Sequence, residues 1–596
     1  MNKERRLNGS KTERFLAFLK RFSFWVSLVA LIMIFFDVGF AHSPQTERQL
    51  ISFYLVVLAL GSLSIIMGYL FSTEKFPRKV KVFDSLILLL FVLLLLLKLD
   101  ILLELLPWLG FLNKMGWLYL ALVIYFVRES SYRKLNLSRE RFNPAQLFIF
   151  SFLALILLGT ALLMLPKATH NGISLIDAVF TATSAVCVTG LIVVDTETFF
   201  TPFGKTLILL MIQLGGLGIM TFASYFSYFF RGKSSYENQL MLQDMTNSDK
   251  IGEVFSVLKK IIVVTLGIEA LGSMFIFFSL DKTSLSEIAD PVFFSIFHSI
   301  SAFCNAGFST MTNGLFEEGL RFNYPFQLII AGLLILGGIG FPILFNMVRY
   351  LEYRLKKQLS AFSNPSRAGY KPWVVTLNTR LVLTTTAILL VGGTVLIYFS
   401  EYRYTLAEHG AFGKVVTAFF TAATPRTAGF NSVDFSAMGV ASLLLIFLLM
   451  WIGGSPGSTA GGIKTSTFAI AVLNALSIAK GKSRIELFKR EVAGHSVRRA
   501  FAIMTFSLLM IGLSIVMIAF FDREMHLLEI AFESFSAYST VGLTLGITAG
   551  LSTPSKFVLI VTMFVGRVSM LSIMIAMLRR VRAYNYRYPK EKILMN

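Results

Sequence analysis

Charge is scarce in this chain, and acidic charge scarcest: 34 Asp and Glu stand against 55 Lys and Arg in 596 residues, only 15% of them charged. Ordinary soluble domains carry about 25%, so a water-soluble globular protein is excluded. Cysteine is nearly absent. Cys187 and Cys304 are the only two, too few for a disulfide framework. The six histidines form no HExxH, no CxxC accompanies the cysteines, and no Ser/His/Asp set has local motif support, so metal-dependent and nucleophilic hydrolysis lack their residues. There is no GxGxxG; "GGLG" at 215–218 and "GGIG" at 337–340 come nearest. Both lie in apolar runs, where small residues usually mean close helix packing. The stretch "GGSPGSTAGGIKTST" at 453–467 resembles a phosphate loop but fails its spacing, because Ile463 separates Gly462 from Lys464. The "SLLLIFLLMWI" before it is not a strand leading out of a soluble sheet.

Apolar sequence is what the chain has in abundance. It is 55% hydrophobic with a mean hydropathy of +0.70, the composition of a polytopic membrane protein. Apolar runs long enough to span occur at 22–40, 50–71, 84–103, 109–127, 146–165, 204–229, 261–280, 324–347, 381–400, 501–521 and 555–578. A further run at 440–479 is too long for one span. Basic segments fall on one side of twelve such spans: the N-terminal residues 1–21, "STEKFPRKVK", "RESSYRKLNLSRER", "RYLEYRLKKQLSAFSNPSRAGYK", "KGKSRIELFKR" and "RRVRAYNYRYPKEK". Both termini are therefore expected in the cytoplasm, on the positive-inside rule. The net charge of +21 reads as membrane topology, and no nucleic-acid partner is expected. Gly39-Phe40-Ala41 would serve as a signal-cleavage site, but the long basic region before it and Asp37 within the apolar run favour an uncleaved span.

One pattern recurs four times: a span, a short apolar stretch, a glycine turn and another span. The turns are "FTATSAVCVTGL", "FHSISAFCNAGF", "FTAATPRTAGF" and "FESFSAYSTVGL". Aligned on Gly190, Gly307, Gly429 and Gly542, each has a phenylalanine ten residues earlier and a small residue six earlier, namely Ser184, Ser301, Ala423 and Ser536. The stretches before the glycines are about 12–16 residues long, too short to cross a bilayer and right for a re-entrant helix. Irregular backbone at membrane depth is tolerated only where protein buries it or water lines it. Four such turns converging on one axis would present carbonyl oxygens to one point, as in ion filters that replace the hydration shell of K⁺. A single such glycine is most simply an ordinary turn; four in register make independent turns a poor explanation. Cys187 and Cys304, both three residues before their glycines, are most simply small packing residues.

These motifs resemble the membrane subunit of the Trk/Ktr/HKT superfamily of potassium transporters, and most closely its bacterial Ktr type. "TSAVCVTGLIVVDT", "FCNAGFST", "TPRTAGFNSVD", "YSTVGLTLG", the "GGSPGSTAGGIKT" loop and the ending "YPKEKILMN" carry the resemblance over roughly residues 142–596. It implies an all-α polytopic membrane protein with four M1–P–M2 repeats around one K⁺-channel-like pore, plus about four accessory N-terminal helices. The boundaries are then residues 1–141 (accessory), 142–248, 249–372, 373–494 and 495–596 (repeats 1 to 4, the last with a cytoplasmic tail). It further implies a selectivity filter of Val188, Thr189, Gly190, Asn305, Ala306, Gly307, Thr427, Ala428, Gly429, Thr540, Val541 and Gly542. Glycine in all four repeats is similar to the K⁺-selective members; serine in the first is seen in Na⁺-preferring plant relatives.

The same resemblance makes residues 453–464 an intramembrane gating loop. Independently of it, Gly453, Gly454, Pro456, Gly457, Gly461 and Gly462 can break an apolar run of about 40 residues, where one span needs about 20. Ser455, Ser458 and Thr459 can satisfy freed backbone groups. A static kink is the plain alternative. Lys464 and Arg567 lie deep in their spans, where cations usually face a cavity or a partner. Arg567 is expected to hold the loop through its carbonyls, and both cations to raise a barrier to K⁺; snorkelling toward water is the alternative for Lys464. The first four spans lack Arg or Lys at every third position, so they are no voltage sensor; Lys98 stands near Asp100 and Glu104.

The expected function is K⁺ uptake across the bacterial cytoplasmic membrane, driven by the membrane potential. A Na⁺ or non-selective cation channel or transporter of the same fold is the alternative. Na⁺ dependence occurs in the family, and no separate Na⁺ site is legible here. The resemblance implies a homodimer on a cytoplasmic ring of nucleotide-binding regulatory subunits. An enzyme is not expected, because the spans contain almost no converging His, Asp or Glu.

Overall fold

The computed structural model describes residues 11–71, 78–99, 106–132, 144–229, 254–363, 375–568 and 573–574. Apart from one two-stranded hairpin, Glu486–Leu487 with Arg490–Glu491, every regular element among these residues is helical. The chain divides into two compact units, residues 1–140 with 165–167 and residues 141–164 with 168–596.

The first unit holds α1 (Lys11–Gly39), α2 (Pro44–Phe71), α3 (Arg78–Lys98) and α4 (Met115–Tyr132). Its interior is apolar and aromatic, with Tyr54, Phe91 and Tyr125 fully buried. Two polar sites are satisfied inside it: Tyr119 donates to Asp37 (2.8 Å), and buried Arg128 bridges Asp84 (2.8 Å) and Glu129. Lys98 donates to the Asn113 carbonyl (2.7 Å); Asp100 and Glu104, suggested as its neighbours, lie outside the described residues. The fourth apolar run does not form one helix from 109 to 127. Pro107–Asn113 is a 3₁₀ segment and α4 begins only at Met115, since Pro107 fixes a helix start and the tight 3₁₀ turn seldom extends far.

In the second unit long helices are interspersed with short ones. It opens with α5 (Pro144–Leu163), α6 (Leu175–Val186) and α7 (Pro202–Phe229). The next set is α8 (Val254–Ser279), α9 (Pro291–Cys304), α10 (Tyr324–Ile339) and α11 (Phe341–Ser363). There follow α12 (Leu377–Glu401), α13 (Ala411–Ala423), α14 (Val440–Trp451) and α15 (Thr465–Ala479), then α16 (Gly494–Phe521), α17 (Leu527–Ser539) and α18 (Thr553–Val568). The short helices α6, α9, α13 and α17 have 12, 14, 13 and 13 residues, and their C-terminal halves are buried. Ser174 caps α6 and Asp290 caps α9 by accepting first-turn N–H groups. Among the described residues, six helices of the two units are long and apolar enough to cross a bilayer, α8, α12 and α16 included. Their outward faces are apolar and exposed, as at Ile388, Phe399 and Val516.

Close packing behind the short helices rests on glycine. A methyl group on Gly215 of α7 would collide with the Val186 carbonyl, one on Gly337 of α10 with Phe303 O, and one on Gly566 of α18 with Tyr538 O. Each of these carbonyls lies four residues before a turn glycine, so one contact recurs in three repeats. Gly215 and Gly216 of "GGLG" and Gly337 of "GGIG" are therefore packing glycines.

Two apolar runs are interrupted. Residues 440–479 break between Trp451 and Thr465, as their length demands. The run at 324–347, expected as one span, bends by 102° between α10 and α11. Gly340, at φ +89°, makes the bend possible, and Pro342 lacks the N–H that would continue the helix.

Gly566→Ala should lower the thermal unfolding temperature of the purified protein in detergent, because overpacking against a fixed carbonyl costs about 1–3 kcal/mol. Gly512→Ala, whose new methyl meets nothing within 4 Å, should leave it unchanged or slightly higher. Equal unfolding temperatures for both variants would contradict the packing contact.

Candidate functional site

Each short helix ends in the same backbone figure. The residue two before the turn glycine takes left-handed φ: Val188 57°, Asn305 59°, Thr427 74° and Thr540 51°. The glycine itself is also left-handed: Gly190 90°, Gly307 68°, Gly429 78° and Gly542 91°. Left-handed non-glycine residues are uncommon and costly, and here four occur at one position. Side-chain hydroxyls hold the figure. Ser184 Oγ donates to Leu191 O (2.7 Å) and accepts from Gly190 N (3.1 Å); Ser301 Oγ donates to Phe308 O (2.8 Å); Ser536 Oγ accepts from Gly542 N (3.1 Å). In the third turn the small residue six before the glycine, Ala423, has no hydroxyl to give. Thr424, one residue later, donates to Phe430 O (2.6 Å) instead.

The four turns close on one another in cyclic order. A methyl on Gly190 would collide with Ala306 O, one on Gly307 would lie 2.7 Å from Ala428 O, one on Gly429 would collide with Val541 O, and one on Gly542 with Thr189 O. The same methyls would lie 3.2, 3.0, 3.2 and 2.9 Å from the Cα of the next glycine in that order. The first turn meets the second, the second the third, the third the fourth, and the fourth the first. Val188, Thr189, Asn305, Ala306, Thr427, Ala428, Thr540 and Val541 are all buried. The Oγ1 atoms of Thr189, Thr427 and Thr540 have no protein partner, and buried hydroxyls ordinarily have one.

Residues 453–464 form a loop pinched at its base, where Gly453 N donates to Ile463 O (2.9 Å) and Thr465 N to Gly454 O (3.0 Å). It lies against the residues two before the glycines. A methyl on Gly461 would collide with Thr540 Oγ1, and one on Gly453 would lie 3.2 Å from Thr427 Cγ2. Thr459 Oγ1 sits 3.2 Å from the Asn305 amide and 3.2 Å from Phe303 O. Pro456 and Gly457 reach the bend of the second repeat: Ser455 N donates to Gly338 O (2.9 Å) and Phe341 N to Gly457 O (3.1 Å). Ser458 Oγ donates back to Ser455 O (2.7 Å), and Gly457 and Gly462 take positive φ at the loop's reversals.

Three cations hold loop carbonyls. Lys464 Nζ turns back onto Ala460 O (2.6 Å) and Gly461 O (3.3 Å) rather than reaching outward. Arg567, 5% exposed, donates to Thr459 O and, at 2.9 Å, to Gly215 O. Arg426, which the sequence reading passed over, is buried beside the loop's first residue, with Nη2 3.4 Å from Gly453 O and 3.5 Å from Thr386 Oγ1. Its signal was positional: it stands three residues before Gly429, in register with Cys187, Cys304 and Ser539. Cys187 and Cys304 are free and fully buried; Cys304 Sγ lies 3.8 Å from Gln213 Oε1 and Glu269 Oε1. No group of three metal-ligating side chains occurs among the described residues.

Residues 119–583 match the TrkH family, described as "Cation transport protein". The potassium/sodium uptake protein NtpJ of Enterococcus hirae is 35% identical over 468 residues, covering 77% of this chain and 98% of that protein. The Ktr system potassium uptake protein B of Bacillus subtilis is 35% identical over 455 residues, 76% of this chain and 97% of that one. The fold is similar to that of the potassium transporter TrkH from Vibrio parahaemolyticus, with a TM-score of 0.57, 16% identity, and coverage of 88% of this chain and 97% of that one. The chain is thus a membrane protein of the TrkH family of cation transport proteins, of its bacterial Ktr type, and an ion transporter rather than an enzyme.

Proposed function

We propose that this protein takes up K⁺ across the bacterial cytoplasmic membrane, with both termini in the cytoplasm. The cyclic closure of the four glycine turns carries this reading. Four backbone segments that meet in a ring, with left-handed residues alternating along each, can aim carbonyls at one axis. Carbonyl rings of this kind take the place of an ion's water shell. Residues 188–190, 305–307, 427–429 and 540–542 then form the selectivity filter, one from each of four pore repeats. The orphaned hydroxyls of Thr189, Thr427 and Thr540 supply further oxygens where a dehydrated cation or its water would stand. The membrane potential provides about 2.3 kcal/mol per charge per 100 mV for inward movement. Relatives named for potassium uptake and for potassium/sodium uptake support K⁺ as cargo and keep Na⁺ as a second one.

Residues 453–464 act as the gate in this reading. The loop lies directly against Thr427 and Thr540, so an ion passing the ring meets it next. Arg567 and Lys464 clamp its carbonyls and place positive charge beside the path. For opening, a regulator has to break these bonds. The name "Ktr system" of a relative supports a multi-subunit arrangement, here a homodimer on a cytoplasmic nucleotide-binding ring, for which the basic segments 350–372 and 480–499 and the C-terminal tail are contact surfaces.

Gly190→Ser puts a side chain at φ +90° against Ala306 O. Strain of about 1–3 kcal/mol that widens the ring should reduce the K⁺ over Na⁺ preference about tenfold, read as Na⁺ competition of Rb⁺ uptake into liposomes. An unchanged preference in folded protein counts against the ring as the filter. Deleting several residues of 453–462, or replacing Arg567 with Ala, should raise Rb⁺ uptake per protein and make it less dependent on any regulator. Charged hydrogen bonds are worth about 1.5–3 kcal/mol, so the increase for Arg567→Ala should be about tenfold or more. Unchanged or lower uptake by well-folded variants would leave a static kink as the better description.

A further inference from the structure

Two of the four short helices carry an ionisable side chain that is fully buried, His298 on α9 and Glu533 on α17. They occupy one register, nine residues before Gly307 and Gly542 respectively. Each reaches a hydroxyl two residues beyond its own glycine. His298 Nε2 lies 2.9 Å from Ser309 Oγ, and Nδ1 lies 2.9 Å from Phe294 O. A carbonyl only accepts, so Nδ1 carries the proton and Nε2 accepts from Ser309. Ser309 Oγ in turn accepts from Met311 N at 3.1 Å. Glu533 makes the equivalent link with both oxygens. Thr544 Oγ1 donates to Oε1, Thr548 Oγ1 donates to Oε2 at 3.0 Å, and Gly546 N donates to Thr544 Oγ1 at 2.8 Å.

The other two repeats lack the link. At the same two positions the first has Thr181 and Ile192, and the third has Phe420 and Asn431; Thr181 Oγ1 has no partner at all. Their outgoing segments are tied sideways to the second repeat instead. Thr312 Oγ1 donates within 2.9 Å of Asp195 and 3.0 Å of Glu197, and Asn431 Nδ2 donates to Asn313 O at 3.0 Å. In the cyclic order of the turns the second and fourth repeats stand opposite each other. The pegged strands are thus a facing pair.

We propose that His298 and Glu533 are positioning residues for ion discrimination, each pegging the outer end of its carbonyl strand to the helix behind it and together fixing one diameter of the ring. This rests on the reading of the ring as a K⁺ filter. A carbonyl ring tells K⁺ from Na⁺ only as far as its size and dipole field resist change around the smaller ion. Hydrogen bonds whose inner partners, His298 and Glu533, are fully buried in low dielectric, one of them a carboxylate, are stiff enough to supply that resistance. Strands one and three, which beyond their Ser184 and Thr424 hydroxyl bonds are tied to a neighbouring loop and lack this peg, follow the pegged pair.

Ser309→Ala and Thr544→Val each remove one hydroxyl and keep His298 and Glu533. In liposomes holding the purified full chain, Rb⁺ uptake is measured against rising Na⁺. Loss of a hydrogen bond of this kind should lower the Na⁺ concentration for half-inhibition about tenfold in Thr544→Val, and less in Ser309→Ala, where both partners are neutral. Thr544→Ser should restore the parent value, and Thr181→Val, at the unlinked register, should not move it. A merely structural role would lower uptake without changing the Na⁺-to-Rb⁺ ratio. That result, or an unchanged ratio in both variants with parent-like thermal unfolding, overturns the proposal. Because the two variants probe opposite strands, misfolding of one leaves the other decisive. A parent chain with no preference for Rb⁺ over Na⁺ would instead overturn the filter reading itself.

Discussion

Backbone N–H and C=O groups inside a bilayer have no water to bind, and the second unit is organised around the places where helices nevertheless stop there. Four short helices end in left-handed turns whose carbonyls cannot bond along a helix. A hydroxyl beside each turn, from Ser184, Ser301, Thr424 or Ser536, takes part of the load. The turns then crowd together until each glycine touches the carbonyl before the next. Glycine is required there twice over, for its positive φ and for the closeness of its neighbour. On the function proposed above, the carbonyls left over form a ring of oxygens whose partner is a dehydrated cation.

The same constraint explains the three cations bonded to the loop. The loop at 453–464 leaves carbonyls at depth, and Lys464, Arg567 and Arg426 meet those of Ala460, Gly461, Thr459 and Gly453. A guanidinium buried for this purpose is costly unless bonded, so loop and cation stabilise each other. The bend at Gly340 belongs to the same system. It frees Gly338 O and Phe341 N, and the loop binds both. The loop is therefore joined to the second, third and fourth repeats, and through Arg567 to Gly215 of the first.

Much of this could be read in the sequence because it repeats. The registered glycines gave the short helices and their turns, and the over-long run at 440–479 gave the break between Trp451 and Thr465. Arg567 against the loop carbonyls was foreseeable from the cost of a cation at depth. The bend at Gly340 was not, because "GGIGFP" sits in a run of normal length and its glycines also suit helix packing. Thr424 was missed because its hydroxyl stands one residue off the register shared by the other three turns. Arg426 was hidden inside a turn motif that was read for its glycine. The pairing of His298 with Ser309 and of Glu533 with Thr544 needs two aligned positions at once, and only the folded chain shows that both are occupied in the same repeats.

The proposed transport function depends on ions binding between residues 188–190, 305–307, 427–429 and 540–542. Anomalous diffraction from crystals of the full chain grown in Rb⁺ tests this directly. Rb⁺ peaks on the axis between these four segments, weakened by added K⁺ more than by equal Na⁺, are the expected result. Ordered protein with no peak on that axis, or with Rb⁺ bound only elsewhere, would contradict it.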